Sequence, residues 1–348
     1  MAKKKQHSST RRAPARSGSG SPRGRGGGRR GPGRARAREL SRRDRMRLWL
    51  EGARLRTLPL AVVPVLLGTA GAVSISQEGE YHWARALACL AVAVCLQIGV
   101  NFANDYSDGV RGTDRHRVGP LRLTASGLVP VKTVRTIAFL FFLLAAAAGV
   151  FLAWRTGQWW LLAVGAAAIL AAWFYTGGKR PYGYFGLGEV FVFLFFGLVA
   201  TLGTMYVQVL QISSDGWLLA IASGLFACAA LMANNIRDAE QDRAAGKRTL
   251  AVLLGRVAPR VLYGLFALGP FVISGMFLVL FRNAIYSFFA LMLIAPAVLI
   301  VATSERPRDL VLALRLTTLG ALAFALLLGL AIALSPYRPA LPPGLAPA

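Results

Sequence analysis

Nine runs of mostly apolar residues mark the chain, at about 58–75, 84–103, 134–154, 159–175, 189–210, 217–235, 261–281, 286–302 and 314–334. A hydrocarbon core of ~30 Å asks a helix for roughly 17 to 25 such residues. None of the runs alternates with the two-residue period of a strand, and lipid cannot satisfy exposed backbone groups. The pattern predicts an all-α polytopic membrane protein with nine transmembrane helices.

Charge orients these helices. With a cytoplasmic N-terminus, the loops on that side carry 17 Lys and Arg between Arg111 and Arg315, and the opposite side carries only Arg85, Arg155, Arg282 and Arg338. Positive residues collect on the cytoplasmic side of membrane proteins. The N-terminus is therefore expected in the cytoplasm, and the location is expected to be a bacterial cell (inner) membrane.

The stretch before the first run is different material. Residues 1–47 are rich in Arg, Lys, Gly, Ser and Pro, and are expected to form a disordered basic tail. Of the net charge of +25, residues 1–56 contribute +16, from 19 Lys and Arg against Glu39, Asp44 and Glu51. An Arg-Gly tail can suit nucleic acid. Here no aromatic residues are interleaved to stack on bases, so membrane lipid, anionic lipid in particular, is the expected partner and nucleic acid is not. Residues 336–348 read as a short Pro-rich C-terminal tail. Cys89, Cys95 and Cys228 lie inside apolar runs, and His7, His82 and His116 are scattered, which argues against disulfides and against a zinc or iron site.

Two acidic clusters interrupt this pattern, each directly after an apolar run. The first, N-D-Y-S-D-G-V-R-G-T-D, carries Asn104, Asp105, Asp108 and Asp114; the second, N-N-I-R-D-A-E-Q-D-R-A-A-G-K-R-T, carries Asn234, Asn235, Asp238, Glu240 and Asp242. Carboxylates beside a spanning helix are costly and point to function. Gln97, Asn101, Asn104, Asp105 and Asp108 recur at helical spacing, as do Asn234, Asp238 and Asp242, so each set reads as a polar stripe facing a cavity. Oxygen ligands in this number suit Mg²⁺ shared with substrate phosphates. Arg111, Arg237, Arg243, Lys247 and Arg248 suit the remaining phosphate oxygens. A third segment, T-G-G-K-R-P-Y-G-Y-F-G-L-G-E at 176–189, adds glycines that let backbone approach a ligand. It also adds the aromatic residues Tyr182, Tyr184 and Phe185 for ring stacking, and Glu189.

These stretches, with R-L-R-T-L-P-L-A-V-V-P-V-L-L-G at 54–68 and G-K-R-T-L-A-V at 246–252, resemble the UbiA superfamily of intramembrane aromatic prenyltransferases. The likeness covers roughly residues 48–335 and is greatest to the branch acting on 1,4-dihydroxy-2-naphthoate in menaquinone synthesis. The usual first motif, N-D-x-x-D-x-x-x-D, is altered here: Gly112 stands at its last position and Asp114 follows. The resemblance implies nine helices around a central, lipid-open cavity. It also implies transfer of a polyprenyl group from a polyprenyl diphosphate to 1,4-dihydroxy-2-naphthoate, with release of diphosphate and CO₂, on two Mg²⁺ ions bridging the diphosphate. Asp105, Asp108, Asp114, Asp238 and Asp242 are the implied metal ligands. Asn104, Arg111, Asn234, Asn235, Arg237, Lys247 and Arg248 are assigned to the diphosphate. Arg54, Lys179, Arg180, Tyr182, Tyr184 and Glu189 are assigned to the acceptor, with Lys179 also catalytic. Another aromatic acceptor, or a transporter or lipid-binding protein with a cytoplasmic ion site, are the competing readings. Acids at helix ends, instead of at the bilayer midplane, favour the enzyme.

Overall fold

The computed structural model describes residues 41–76, 82–111, 123–124 and 126–335. Asp114, both chain ends (1–40 and 336–348) and the segments between these ranges lie outside the described residues. The described residues from Arg42 onward form one compact unit.

The elements are helical throughout. They are α1 (Arg42–Ala53), α2 (Pro59–Ile75), α3 (Trp83–Arg111), α4 (Val131–Thr156), α5 (Leu161–Phe174), α6 (Gly188–Val209), α7 (Ser214–Ala244), α8 (Leu250–Leu254), α9 (Ala258–Phe277), α10 (Arg282–Thr303) and α11 (Pro307–Ala333). Each of the nine apolar runs coincides with one of them. Among the described residues seven helices are long and apolar enough to cross a membrane, α3, α4, α6, α7, α9, α10 and α11, and the protein is a multi-pass membrane protein. The two remaining runs are shorter. α2 has 17 residues and meets α1 at a 45° bend, whereas α5 has only 14. The basic stretch expected as tail up to residue 47 is already helical from Arg42.

One proline and one strained residue mark the α1–α2 bend. Pro59 opens α2, where its missing N–H costs nothing. Arg54 precedes it in the left-handed region at φ 53°, a conformation that non-glycine residues adopt rarely. Gly197 and Gly224 let α6 and α7 touch: a Cβ on Gly197 would meet the Gly224 Cα at 2.5 Å. Beside this contact α6 loosens into a π-helical turn at Phe193–Val199, a feature frequent at functional sites.

The largest core joins α2, α7, α9, α10 and α11, with Phe226, Phe271 and Phe324 packed edge to face. A second core ties α1 to α3 and α4 around Phe102 and Phe142. Between them lies a cavity of about 510 Å³ lined from the α1–α2 junction, α3 to α7, and the loop carrying Lys247 and Thr249. The cavity is thus narrower in its makers than a nine-helix ring. α9 to α11 supply none of the lining and instead brace α2 and α7 from behind. α5 buries none of its residues and packs mainly on α3 and α4, which leaves the wall between α5 and α6 thin. At the far end, Arg85 donates to the carbonyls of Arg155, Val207 and Gln208, pinning the ends of α4 and α6 to the start of α3. Exposed Trp83, Trp154, Trp159, Trp160 and Trp217 gather at that end, where an aromatic belt meets headgroups.

Candidate active site

The acid-bearing ends of α3 and α7 build the polar end of the cavity. Gln97, Asn101, Asn104 and Asp108 line it from α3. Asn101 donates to the Ala53 carbonyl at 2.9 Å and Gln97 to Thr57 Oγ1 at 3.4 Å, fastening α3 to the strained α1–α2 junction. Thr176 donates to Asn104 Oδ1 at 2.6 Å. From α7 come Asn234, Asn235, Asp238, Gln241 and Asp242.

One cation joins the two walls. Lys247 Nζ donates to Asp108 Oδ1 at 3.1 Å and lies 3.7 Å from Asp242 Oδ1. Its ammonium also rests over the Tyr184 ring, 4.7 Å from the centroid. The Tyr184 hydroxyl donates to the same Asp108 oxygen at 2.7 Å. Burial, then the Asp108 charge, push the Tyr184 phenol well above its ordinary value, so it remains a donor. Asp238 is clasped by Arg237, with Nε and Nη2 donating to its two oxygens at 2.7 and 2.8 Å.

Several residues of the sequence assignment stand elsewhere. Asp105 is buried but does not line the cavity, and its two oxygens accept the backbone N–H groups of Leu123 and Thr124 at 2.8 and 2.9 Å. A carboxylate engaged in this way holds the Leu123 loop against α3 and stands outside the lining to which its metal role was assigned. Arg111 donates to the carbonyls of Thr176 and Gly178 and leans over Tyr184; it secures the loop and does not line the cavity. Arg237 and Arg248 are likewise outside the lining; the backbone N–H of Arg248 donates to the Tyr184 carbonyl at 2.9 Å. Lys179 and Arg180, assigned to the acceptor, are exposed and also outside it. Arg54, assigned to the acceptor with them, does line the cavity.

Tyr182 and Tyr184, assigned to the acceptor, line the cavity. The Tyr182 hydroxyl is spent on the Ala171 carbonyl at 2.8 Å and its ring stacks on Phe191 at 4.1 Å, so it offers a face. Glu189 is buried behind the lining: Oε1 accepts from Asn235 Nδ2 at 2.9 Å, and Oε2 has no hydrogen-bond partner among the described residues. Its position suits orienting Asn235, not touching an acceptor. Sequence reasoning missed Tyr175, Thr176, Gln241 and Thr249, all in the lining. The helical offset of three residues from Asp238 could have flagged Gln241; Thr176 and Thr249 stand inside the quoted motifs, and Tyr175 directly precedes one of them.

Beyond the polar end the lining is almost wholly apolar, including Leu60, Val65, Leu96, Ile169, Phe195 and Leu231. Apolar walls that end in oxygen ligands and an ammonium form the kind of site that holds an amphipathic molecule by an anionic head, inside a membrane bundle. The chain belongs to the UbiA prenyltransferase family, whose model matches residues 61–311. It is 52% identical over 215 residues, 62% of this chain and 72% of the relative, to the 1,4-dihydroxy-2-naphthoate octaprenyltransferase of Mycobacterium tuberculosis. Among solved structures it is similar to an apo UbiA homolog from Aeropyrum pernix K1, with TM-score 0.57 and 17% identity over 80% of this chain and 95% of that one. It is similar too to a UbiA homolog from Archaeoglobus fulgidus bound to DMAPP and Mg²⁺, with TM-score 0.51 and 14% identity over 82% and 98% of the two chains.

Proposed function

We propose that this protein transfers a polyprenyl group from an allylic diphosphate to 1,4-dihydroxy-2-naphthoate, releasing diphosphate and CO₂ on the route to menaquinone. Relatives at 39–52% identity bear the name of that activity. The observation that carries the chemistry is Lys247 held between Asp108 of one helix and Asp242 of another, at the polar end of an apolar cavity.

The donor set fits Mg²⁺. Asn104, Asp108, Asn234, Asn235, Asp238, Gln241 and Asp242 offer hard oxygen ligands. No group of three His, Cys, Asp or Glu able to cage an ion occurs among the described residues, and Mg²⁺ usually takes one or two carboxylates with substrate phosphates. We assign Asp108, Asp238 and Asp242 to two such ions, which when bound supply Lewis-acid stabilisation of the departing diphosphate. Lys247 binds a diphosphate oxygen. Tyr184 fixes the aspect of Asp108, and Glu189 fixes that of Asn235. The apolar walls exclude water that would quench an allylic cation, and the prenyl chain leaves the cavity through the thin wall between α5 and α6. Arg54 pairs with the acceptor's carboxylate. Its strained backbone fits a site residue held by its surroundings, as such strain collects at functional sites. Nine membrane passages, with the N-terminus and polar mouth on the cytoplasmic face of the inner membrane, complete the reading, and the basic N-terminal stretch meets anionic lipid.

The test is direct. Purified protein in detergent is given a polyprenyl diphosphate, 1,4-dihydroxy-2-naphthoate and Mg²⁺, with 4-hydroxybenzoate and EDTA as controls. Decarboxylated prenyl naphthoquinol should form only with the naphthoate and only without EDTA. Product from 4-hydroxybenzoate alone would assign a different acceptor.

A further inference from the structure

Asn234 and Asn235 are neighbours on α7 and both line the cavity, but they leave the helix in different directions. Asn234 belongs to the row that continues through Asp238 and Asp242, each four residues on. Asn235 lies about 100° round the helix from Asn234. It turns toward α6, where its Nδ2 donates to Glu189 Oε1 at 2.9 Å. Glu189 is only 5% exposed, and its Oε2 has no hydrogen-bond partner among the described residues. A buried carboxylate resting on one side-chain hydrogen bond is costly, and what it secures is the aspect of Asn235. A primary amide carries its donors on one side and its acceptor on the other. With Nδ2 committed to Glu189, Asn235 is left with Oδ1 for the cavity, and that oxygen is not sealed off from it. Asn104 on α3 is set the other way: Thr176 Oγ1 donates to its Oδ1 at 2.6 Å, which leaves Nδ2 as the donor suited to an anion.

Only one of the two substrates can use a carbonyl oxygen in that place. A diphosphate presents acceptor oxygens alone, so a second acceptor repels it, and the prenyl chain has no polar group. The carboxylates assigned to metal, Asp238 and Asp242, continue the Asn234 row and not the Asn235 side of the helix. The dihydroxynaphthoate carries two hydroxyl donors. Its 1-hydroxyl bonds to the adjacent carboxylate, and its 4-hydroxyl, across the ring, is the donor left over. We propose that Asn235 Oδ1 accepts a hydrogen bond from the 4-hydroxyl of the acceptor, and that Glu189 is the positioning residue that turns the amide this way. This rests on the acceptor assignment above. The pair makes Asn235 a specificity residue: it favours a ring with a free second hydroxyl over one without, by about tenfold for one neutral hydrogen bond.

The test pairs a side chain with a hydroxyl. Asn235→Leu keeps the approximate shape and removes the amide; 1-hydroxy-2-naphthoate, used as a competitive inhibitor, keeps the ring and carboxylate and lacks the 4-hydroxyl. In the purified enzyme, Asn235→Leu should raise KM for dihydroxynaphthoate about tenfold and leave the Ki of 1-hydroxy-2-naphthoate, KM for the prenyl diphosphate and the Mg²⁺ curve where they were. Glu189→Leu should give the same split, and Glu189→Gln, whose Oε1 still accepts from Asn235, should restore the wild-type values. Should Asn235→Leu fail to insert because it strands Glu189, the double change Asn235→Leu with Glu189→Leu removes both partners and should show the split as well. An equal rise for substrate and inhibitor, or no rise for either, would overturn the proposal. A raised Mg²⁺ requirement together with a raised KM for the prenyl diphosphate would overturn it too, in favour of Asn235 as a metal ligand. Wild-type protein that makes no product from the naphthoate would instead remove the acceptor assignment.

Discussion

Asp108→Asn separates the metal role from the architecture. Asp108 Oδ1 accepts from Tyr184 and Lys247 at 2.7 and 3.1 Å, and its side chain is only 4% exposed, so solvent screens these contacts little. Asparagine retains an oxygen for both donors. The change therefore converts charge-assisted bonds into neutral ones, a loss of about 1–2 kcal/mol at most, and the bundle should insert and fold. Catalysis depends on the charge. Loss of one ligand from a metal that stabilises the departing diphosphate forfeits about 3 kcal/mol or more, roughly a hundredfold in kcat. The assay is single-turnover prenyl transfer across a Mg²⁺ titration: kcat should collapse and the Mg²⁺ concentration for half activity should rise. A folded variant with near wild-type rate and the wild-type Mg²⁺ curve would refute the reasoning.

Asp105→Asn should behave in the opposite way. It sets an amide N–H₂ against one of the Leu123 and Thr124 N–H donors, costing about 1–3 kcal/mol of stability; thermal denaturation should show the loss while the Mg²⁺ dependence stays put. Arg54→Ala should raise KM for the naphthoate more than for the prenyl diphosphate, and Lys179→Ala should change neither, as steady-state kinetics with each substrate varied will report. Deletion of residues 1–40 should leave turnover in detergent unchanged and weaken binding to anionic vesicles in flotation assays, by about 1 kcal/mol per basic residue near the surface.

Apolar periodicity made the helices legible, because hydrocarbon tolerates few alternatives. The polar stripe on α3 was legible too, except at Asp105. At 3.6 residues per turn Asp105 points roughly 60° away from Asp108, enough to face the Leu123 loop and not the cavity. The adjacency of the two in the motif hid that difference. Loop side chains were the least readable. Charge rules place Lys179 and Arg180 on a side of the membrane but do not say whether they turn inward. Arg54 gives no sequence sign of its left-handed backbone at the α1–α2 bend. α9 to α11 look like cavity helices by composition, yet they pack behind α2 and α7 because the large aromatic core draws them there.

The central claim is that α3 and α7 share a metal-bound diphosphate at the site where Lys247 now joins their carboxylates. A crystal structure with Mn²⁺ and an unreactive prenyl thiodiphosphate tests it through anomalous scattering. Anomalous peaks should fall between Asp108 and the Asp238–Asp242 turn, with the thiodiphosphate against Lys247 and the prenyl chain along the apolar walls. Peaks at Asp105, or a thiodiphosphate bound outside the α3–α7 cleft, would contradict the account.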